Sequence, residues 1–197
     1  MENPGKYRPD LRIYHASAKG TGCALKMNLH PAHDDVDGCI MAVFANQLTV
    51  GDRNLPQPTF SRFDWENAIA VKLDFNDLCM MLQVFRGECE SIQDGKGLFH
   101  RTAKASTVIN LRHLVEPVSG YSFEVSRTMN DGSAPRRAHI MLASHEALGL
   151  AEAIAGSLAV VSFGIPMLQA HDTSAYREEA RRAANAGAAA CWRKYRR

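Results

Sequence analysis

No Cys-x-x-Cys pair, no Gly-x-Ser-x-Gly, no His-Glu-x-x-His and no Gly-x-Gly-x-x-Gly occurs in this 197-residue sequence. Their absence removes the usual signatures of dithiol and zinc sites, acyl-transfer nucleophiles, metalloproteases and dinucleotide folds. No Ser or Cys stands in a pattern that pairs it with a positioned base, so the expectation is a binding protein without a cofactor rather than an enzyme. Cysteine is odd in number, five in all (Cys23, Cys39, Cys79, Cys89 and Cys191), which points to free thiols in a reducing compartment, mostly filling core. No apolar signal region opens the N-terminal "MENPGKYRPDLRIYHAS", and even Ala151 to Ile165 is interrupted by Glu152, two glycines and serines. Neither secretion nor a membrane partner is therefore expected; a cytoplasmic protein is.

A strong excess of one charge is also missing. Lys and Arg number 23 against 21 Asp and Glu, a formal net charge of +2. From Tyr176 to Arg197 there are seven basic and two acidic residues, which leaves the rest of the chain with 16 basic against 19 acidic. The basic footprint expected of a nucleic-acid binder thus belongs to the tail, not to the body as a whole. At 46% hydrophobic and 22% charged, the composition is that of a globular protein able to bury a sizeable core.

What the chain does have is strands. In "AKGTGCALKMNLHP" a Lys-Gly stretch resembles a phosphate loop, but such loops deliver the chain into a helix. Here Cys23, Leu25, Met27 and Leu29 alternate with Ala24, Lys26, Asn28 and His30, which predicts a strand with one buried face. "GCIMAVFANQL" is a continuous apolar run. "FSRFDWENAIAVKL" is expected to alternate throughout, with Phe63, Trp65, Ile69, Val71 and Leu73 on one face. The period then changes: Leu78, Met81, Leu82 and Phe85 predict a short helix capped by Asp74 or Asn76.

The second half repeats the scheme. "GLFHRTA", "STVINLRHL", "GYSFEVSRTM" and "RRAHIML" read as strands, followed by a helix with Ala147, Leu150, Ala151, Ile154, Leu158 and Val161 on one stripe. Superposing Leu73-Asp74 on Leu142-Ala143 aligns Asp77 with Glu146, Met81 with Leu150 and Phe85 with Ile154. The predicted fold is α+β: two four-stranded antiparallel sheets packed together, each followed by a helix, an internal ββββα duplication. One domain is expected over residues 11–169. Residues 170–197 read as a basic Ala/Arg-rich helical tail capped by Ser174, with Trp192 and Tyr195 among its cations. That tail serves either to contact a partner or merely as a solubilising terminus.

The one enzyme-like cluster is "HPAHDDVDG", with His30, His33, Asp34, Asp35 and Asp37. A metal-dependent hydrolase would use such residues, but Pro31, the Asp run and Gly38 equally make a polar turn between strands. The turn is the preferred reading, with no metal site.

Three segments carry a resemblance. "IYHASAKGTGCALKMNLHP", "FSRFDWENAIAVKLDFNDLCMML" and "RRAHIMLASHEALGLAEAIAGSLAVVSFG" resemble, in order and spacing, the opening strand, the aromatic-Asp-Trp strand with its helix, and the last strand and long helix of the Whirly family of single-stranded-DNA-binding proteins. The likeness spans roughly residues 11 to 166. The chain departs from the family's Lys-Gly-Lys-Ala-Ala-Leu motif, reading Lys19-Gly20-Thr21-Gly22-Cys23-Ala24-Leu25 instead. With no organelle transit segment ahead of the domain, a bacterial or phage-type member is expected. The resemblance implies sequence-tolerant single-stranded DNA binding by a homo-oligomer, a tetramer, with RNA as the alternative ligand. Candidate phosphate contacts are Lys19, Lys26, Arg62, Lys72, Arg101 and Lys104; candidate stacking surfaces are Phe44, Phe60, Trp65 and Phe99. Each aromatic also fits a core position, and Trp65, on the face of Ile69 and Val71, fits it best.

Overall fold

Alternation and its interruptions decide the architecture, which a computed structural model describes for residues 10–116 and 119–165. The basic tail expected from residue 170 onward lies outside the described residues. Strands β1 (Leu11–His15), β2 (Cys23–His30) and β3 (Cys39–Thr49) form an antiparallel sheet in that order. Strands β4 (Arg62–Phe63) and β5 (Ile69–Leu73) both lie on the free edge of β3, one beside Gln47 and Thr49, the other beside Ile40 to Phe44. The sheet has five strands by count but is four strands wide. The second sheet runs β6 (Leu98–Arg101), β7 (Ala105–Leu114), β8 (Gly120–Met129) and β9 (Arg136–Leu142) in chain order. Helix α1 (Phe75–Phe85) follows the first sheet and α2 (Ser144–Phe163) the second.

The uninterrupted strand expected from Phe60 to Leu73 is broken. Asp64 accepts hydrogen bonds from the Asn67 backbone N–H at 3.1 Å and from its amide Nδ2 at 3.0 Å, closing a turn between β4 and β5. These bonds, with little burial to oppose them, hold the Asp64 carboxyl below the usual carboxylate range. A local carboxylate–amide turn competes with the ladder here and wins. The residues beyond it no longer share a face with those before it, and Trp65 leaves the core.

The inner faces hold the core. Leu25, Phe44 and Ile69 stand in one cross-strand row and Met27, Ala42 and Val71 in the next, all buried. Against them the second sheet sets Ile109, Leu111, Phe123, Val125 and Ile140. Phe44 meets Phe123 edge-to-face at a centroid distance of 4.9 Å. Burying such a side chain contributes about 1.5–3 kcal/mol, and the ring pair adds about 0.5–1.5 kcal/mol. At one end, Arg127 of β8 donates to the Ala70 carbonyl of β5 and, through Nε, to Thr107 Oγ1 at 3.0 Å, tying the sheets together. Asn46 Nδ2 donates to the Arg137 carbonyl at 2.8 Å and ties them again. Burial of the Cys23 thiol in this core pushes its pKa up to about 11 and makes it unreactive.

Both helices begin with a carboxylate that turns back on its own cap. Asp77 accepts from the Asp74 N–H at 3.2 Å while Asp74 accepts from the Asp77 N–H at 3.0 Å. Glu146 accepts from the Ala143 N–H at 2.8 Å. Such caps contribute about 1 kcal/mol each. Along α2, Ala147, Leu150, Ala151, Ile154 and Val161 are buried as the stripe predicts, with Leu158 half-buried, while Leu148 and Gly149 face outward. By length and composition α2 is apolar enough to cross a bilayer, which the sequence reading did not anticipate.

Candidate nucleic-acid interface

The outer face of the first sheet is where the break between β4 and β5 has its effect. By strand parity Arg12, Tyr14, Ala24, Lys26, Val43, Ala45 and Lys72 point away from the core. Ala24 and Ala45 are nevertheless wholly buried, because aromatic rings gather on this side. Tyr14 lies 5.6 Å from Phe63 and 6.4 Å from Trp65, ring centre to ring centre, the second contact edge-on. Lys26 Nζ stands over the Trp65 ring, 5.4 Å from its centre. Tyr14 is 49% and Trp65 37% exposed, so the cluster covers the sheet and still presents ring surface to solvent.

A cleft of about 450 Å³ continues from this cluster, lined by Tyr14, Phe63, Phe60, Arg53, Ser17 and Thr59 among others. Its two walls are the Lys-Gly loop after β1 and the loop between β3 and β4, and Gln47 fastens both. Its Oε1 accepts from the Ser17 N–H at 2.7 Å and the Gly22 N–H at 3.1 Å; its Nε2 donates to the Ser17 carbonyl at 3.0 Å and the Thr49 carbonyl at 3.0 Å. A Cβ on Gly22 would come within 2.3 Å of Gln47 Oε1 and of the His15 carbonyl, so only glycine allows this closure. Gly51 is confined in the same way, with the Ser61 N–H and Thr59 carbonyl at 2.7 Å from a Cβ. The lysine-glycine stretch is therefore a tightly braced corner, with Lys19 exposed at its turn.

Electrostatics leave most of the cations available. The ion pairs among the described residues involve Arg12, His15, His33 and His100. Arg12 is held by Asp10 at 2.7 Å, and the guanidinium keeps the Asp10 carboxyl below its usual range. Among the described residues Lys19, Lys26, Arg62, Lys72, Arg101 and Lys104 face no carboxylate at ion-pair distance, which suits groups that would meet phosphate.

The predicted residues fall into two sets and one error. Lys19, Lys26, Phe60, Arg62, Trp65 and Lys72 all belong to the first sheet or its loops, with Phe60 76% exposed at the cleft. Phe99 and Arg101 point outward from β6, the edge strand of the second sheet, with Lys104 in the turn that follows; they form a separate patch. Phe44 is the error. It is 1% exposed and packed on Phe123, because its strand parity places it with Leu25 and Ile69 on the inner face, so it offers no stacking surface. Trp65 corrects the opposite way: the core position its spacing favoured is undone by the Asp64–Asn67 turn. Tyr14, Phe63 and Arg53 were not singled out. For Tyr14 a signal existed, since Leu11, Ile13 and His15 alternate with Arg12 and Tyr14.

The acidic turn between β2 and β3 behaves as a turn. Among the described residues no three His, Cys, Asp or Glu side chains converge as metal ligands. His33 contacts Asp34 at 3.3 Å with both side chains largely in solvent.

The fold has counterparts among solved structures. It is similar to the Whirly proteins WHY3 and WHY1 from Arabidopsis thaliana. WHY3 gives a TM-score of 0.65 at 16% identity, over 87% of this chain and 99% of that one. WHY1 gives 0.62 at 18% identity, over 80% and 93%. A guide-RNA-binding protein complex bound to a gRNA gives 0.50 at 14% identity, over 78% and 91%. At such identities the likeness is one of fold alone. No protein-family profile matches the sequence, and no curated protein matches it closely.

Proposed function

We propose that this protein binds single-stranded nucleic acid, without catalysing a reaction, along the outer face of its first sheet. The observation that carries the reading is the exposed Tyr14–Trp65–Lys26 cluster: two rings and a cation on a flat strand surface, continuous with a braced cleft. Bases released from a duplex present π-faces that rings of this kind accept regardless of sequence, at about 1–3 kcal/mol per base, while unpaired lysines take the phosphates. A body with slightly more acid than base can bind in this way because the cations are local.

DNA is the first choice of ligand, from the likeness to the Whirly fold. The guide-RNA-binding neighbour supports RNA as the second. We also read the protein as a duplicated ββββα unit that works as a homo-oligomer, because α2 leaves Leu148, Gly149, Ala153 and Gly156 on its outward side, a surface suited to another helix.

Fluorescence anisotropy with a labelled single strand, the matching duplex and the RNA of the same sequence tests the reading at two salt concentrations. Tighter binding to the single strand, weakening with salt, is expected. Equal affinity for the duplex, or no binding at low salt, overturns it.

A further inference from the structure

The cleft beside the aromatic cluster has properties that a flat stacking surface does not. It is concave, and its volume of about 450 Å³ lies in the range of small-molecule sites, about 300–1,000 Å³. Its walls are fixed in advance by Gln47 and by the two glycines that tolerate no Cβ. Its lining is aromatic on two sides, Phe60 and the Tyr14–Phe63 pair, with Arg53 as its cation.

The polar groups inside it are already engaged. Ser61 Oγ accepts from the Gly51 N–H at 3.0 Å, Thr59 Oγ1 from the Asp52 N–H at 2.9 Å, and Ser17 Oγ from the Lys19 N–H at 3.1 Å. Hydroxyls spent on holding loops leave little to read the hydrogen-bonding edge of a ligand. What remains is ring surface and a guanidinium, which suits a flat, apolar-faced group attached to an anion.

We infer that this cleft takes a single unstacked nucleobase, with the adjoining phosphate held by Arg53. The inference rests on the reading of the first sheet as a single-strand surface. A strand lying over Trp65 and Tyr14 ends its stacked run by turning one base into the cleft, between Phe60 and the Tyr14–Phe63 pair. Because edge contacts are scarce, the cleft demands a base without choosing which one. It fixes the register of the strand on the protein, with a base held in a cleft rather than laid flat on the sheet.

Abasic scanning of a short oligothymidylate, with the full-length chain and anisotropy as readout, tests this. In the wild type, one abasic position near an end of the oligonucleotide is expected to cost about tenfold in affinity, and replacing thymine there by adenine or cytosine much less. Phe60→Ala is expected to abolish that positional penalty while leaving the penalties at the other positions in place. Phe60 is 76% exposed, so the substitution does not threaten folding, and Phe60→Tyr is expected to retain the penalty. An unchanged positional penalty in Phe60→Ala, or a strong preference for one base at that position, overturns the inference and leaves the single-strand reading standing. Trp65→Ala serves as the control for that reading. If neither Trp65→Ala nor any abasic position alters affinity in the wild type or the variants, stacking itself is absent and both fall.

Discussion

His15 Nε2 lies 2.8 Å from Glu146 Oε1, joining the first strand of the first sheet to the first turn of the helix that follows the second. The reciprocal contact exists: His100 Nε2, in the first strand of the second sheet, lies 2.9 Å from Asp77 Oδ2, in the first turn of the helix that follows the first. Each helix is therefore pinned to the other half of the molecule by a histidine–carboxylate pair. The carboxylates are the two residues that the sequence superposition aligns.

The two pairs differ in energy. Burial pushes Glu146 up, but the bonds from His15 and the Ala143 N–H outweigh it and hold the carboxyl below its ordinary value of 4.5. Its ionised form therefore stabilises the fold above that pH, and the gain is lost as pH falls through the folded value. Burial of Asp77 dominates over the Asp74 N–H and His100, and leaves its carboxyl raised above 3.8. Ionisation there costs stability as pH rises through the folded value, and the cost is complete at neutral pH. We expect Glu146→Gln to lose about 1 kcal/mol in urea unfolding at pH 7, a deficit that shrinks in acid. Asp77→Asn, which keeps an acceptor, should lose less or gain. Equal losses at pH 7 would contradict the assignment.

Much of this arrangement was legible beforehand. Period-2 alternation in "CALKMNLH" and "GYSFEVSRTM" reaches the strands because one face of each is buried and the other is not. The helix stripes follow for the same reason. Trp65 and Phe44 escaped because each depends on something non-local or competing. A turn closed by the Asp64 carboxylate on Asn67 overrides an alternation that looks continuous. For Phe44, the apolar run "CIMAVFANQL" has no alternation to tell inner from outer, and only the pairing with Leu25 and Ile69 decides. The cleft was invisible because Gln47, Gly22 and Gly51 meet only when the loops close.

Phe44→Ala should behave as a core mutation. With the ring against Phe123 lost, the expected cost is about 3–5 kcal/mol in chemical denaturation. Phe99→Ala, at a position 62% exposed, should stay within about 0.5 kcal/mol of the wild type. A small effect at Phe44 would return that ring to the list of surface contacts.

Trp65→Ala should lower the unfolding midpoint, because the ring helps to cover Ala24 and Ala45, yet leave the protein folded. It should also weaken single-strand binding by roughly tenfold, the worth of about one stacked base. Lys26→Ala should differ in kind. It removes the cation over the ring and one phosphate partner, so the slope of log affinity against log salt should become shallower by about 0.7. If Lys26→Ala changes affinity without changing the slope, its role is to hold Trp65 and not to meet phosphate.

The tail offers the sharpest division of labour. Residues 176–197 hold seven Lys/Arg and two Glu, whereas the body that presents the Trp65 cluster has 16 basic against 19 acidic residues. Stacking is nearly indifferent to salt, but every phosphate contact adds about 0.7 to the slope on a single strand. Deleting residues 176–197 should therefore give a weaker and less salt-sensitive complex in which the penalty of Trp65→Ala survives intact. The two readouts separate the contributions: the slope reports the tail, and the Trp65 penalty reports the sheet. Complete loss of binding on truncation would move the function to the tail and reduce the first sheet to its support. An unchanged slope would leave the tail as solvated surface and assign all the phosphate contacts to the cations of the folded body.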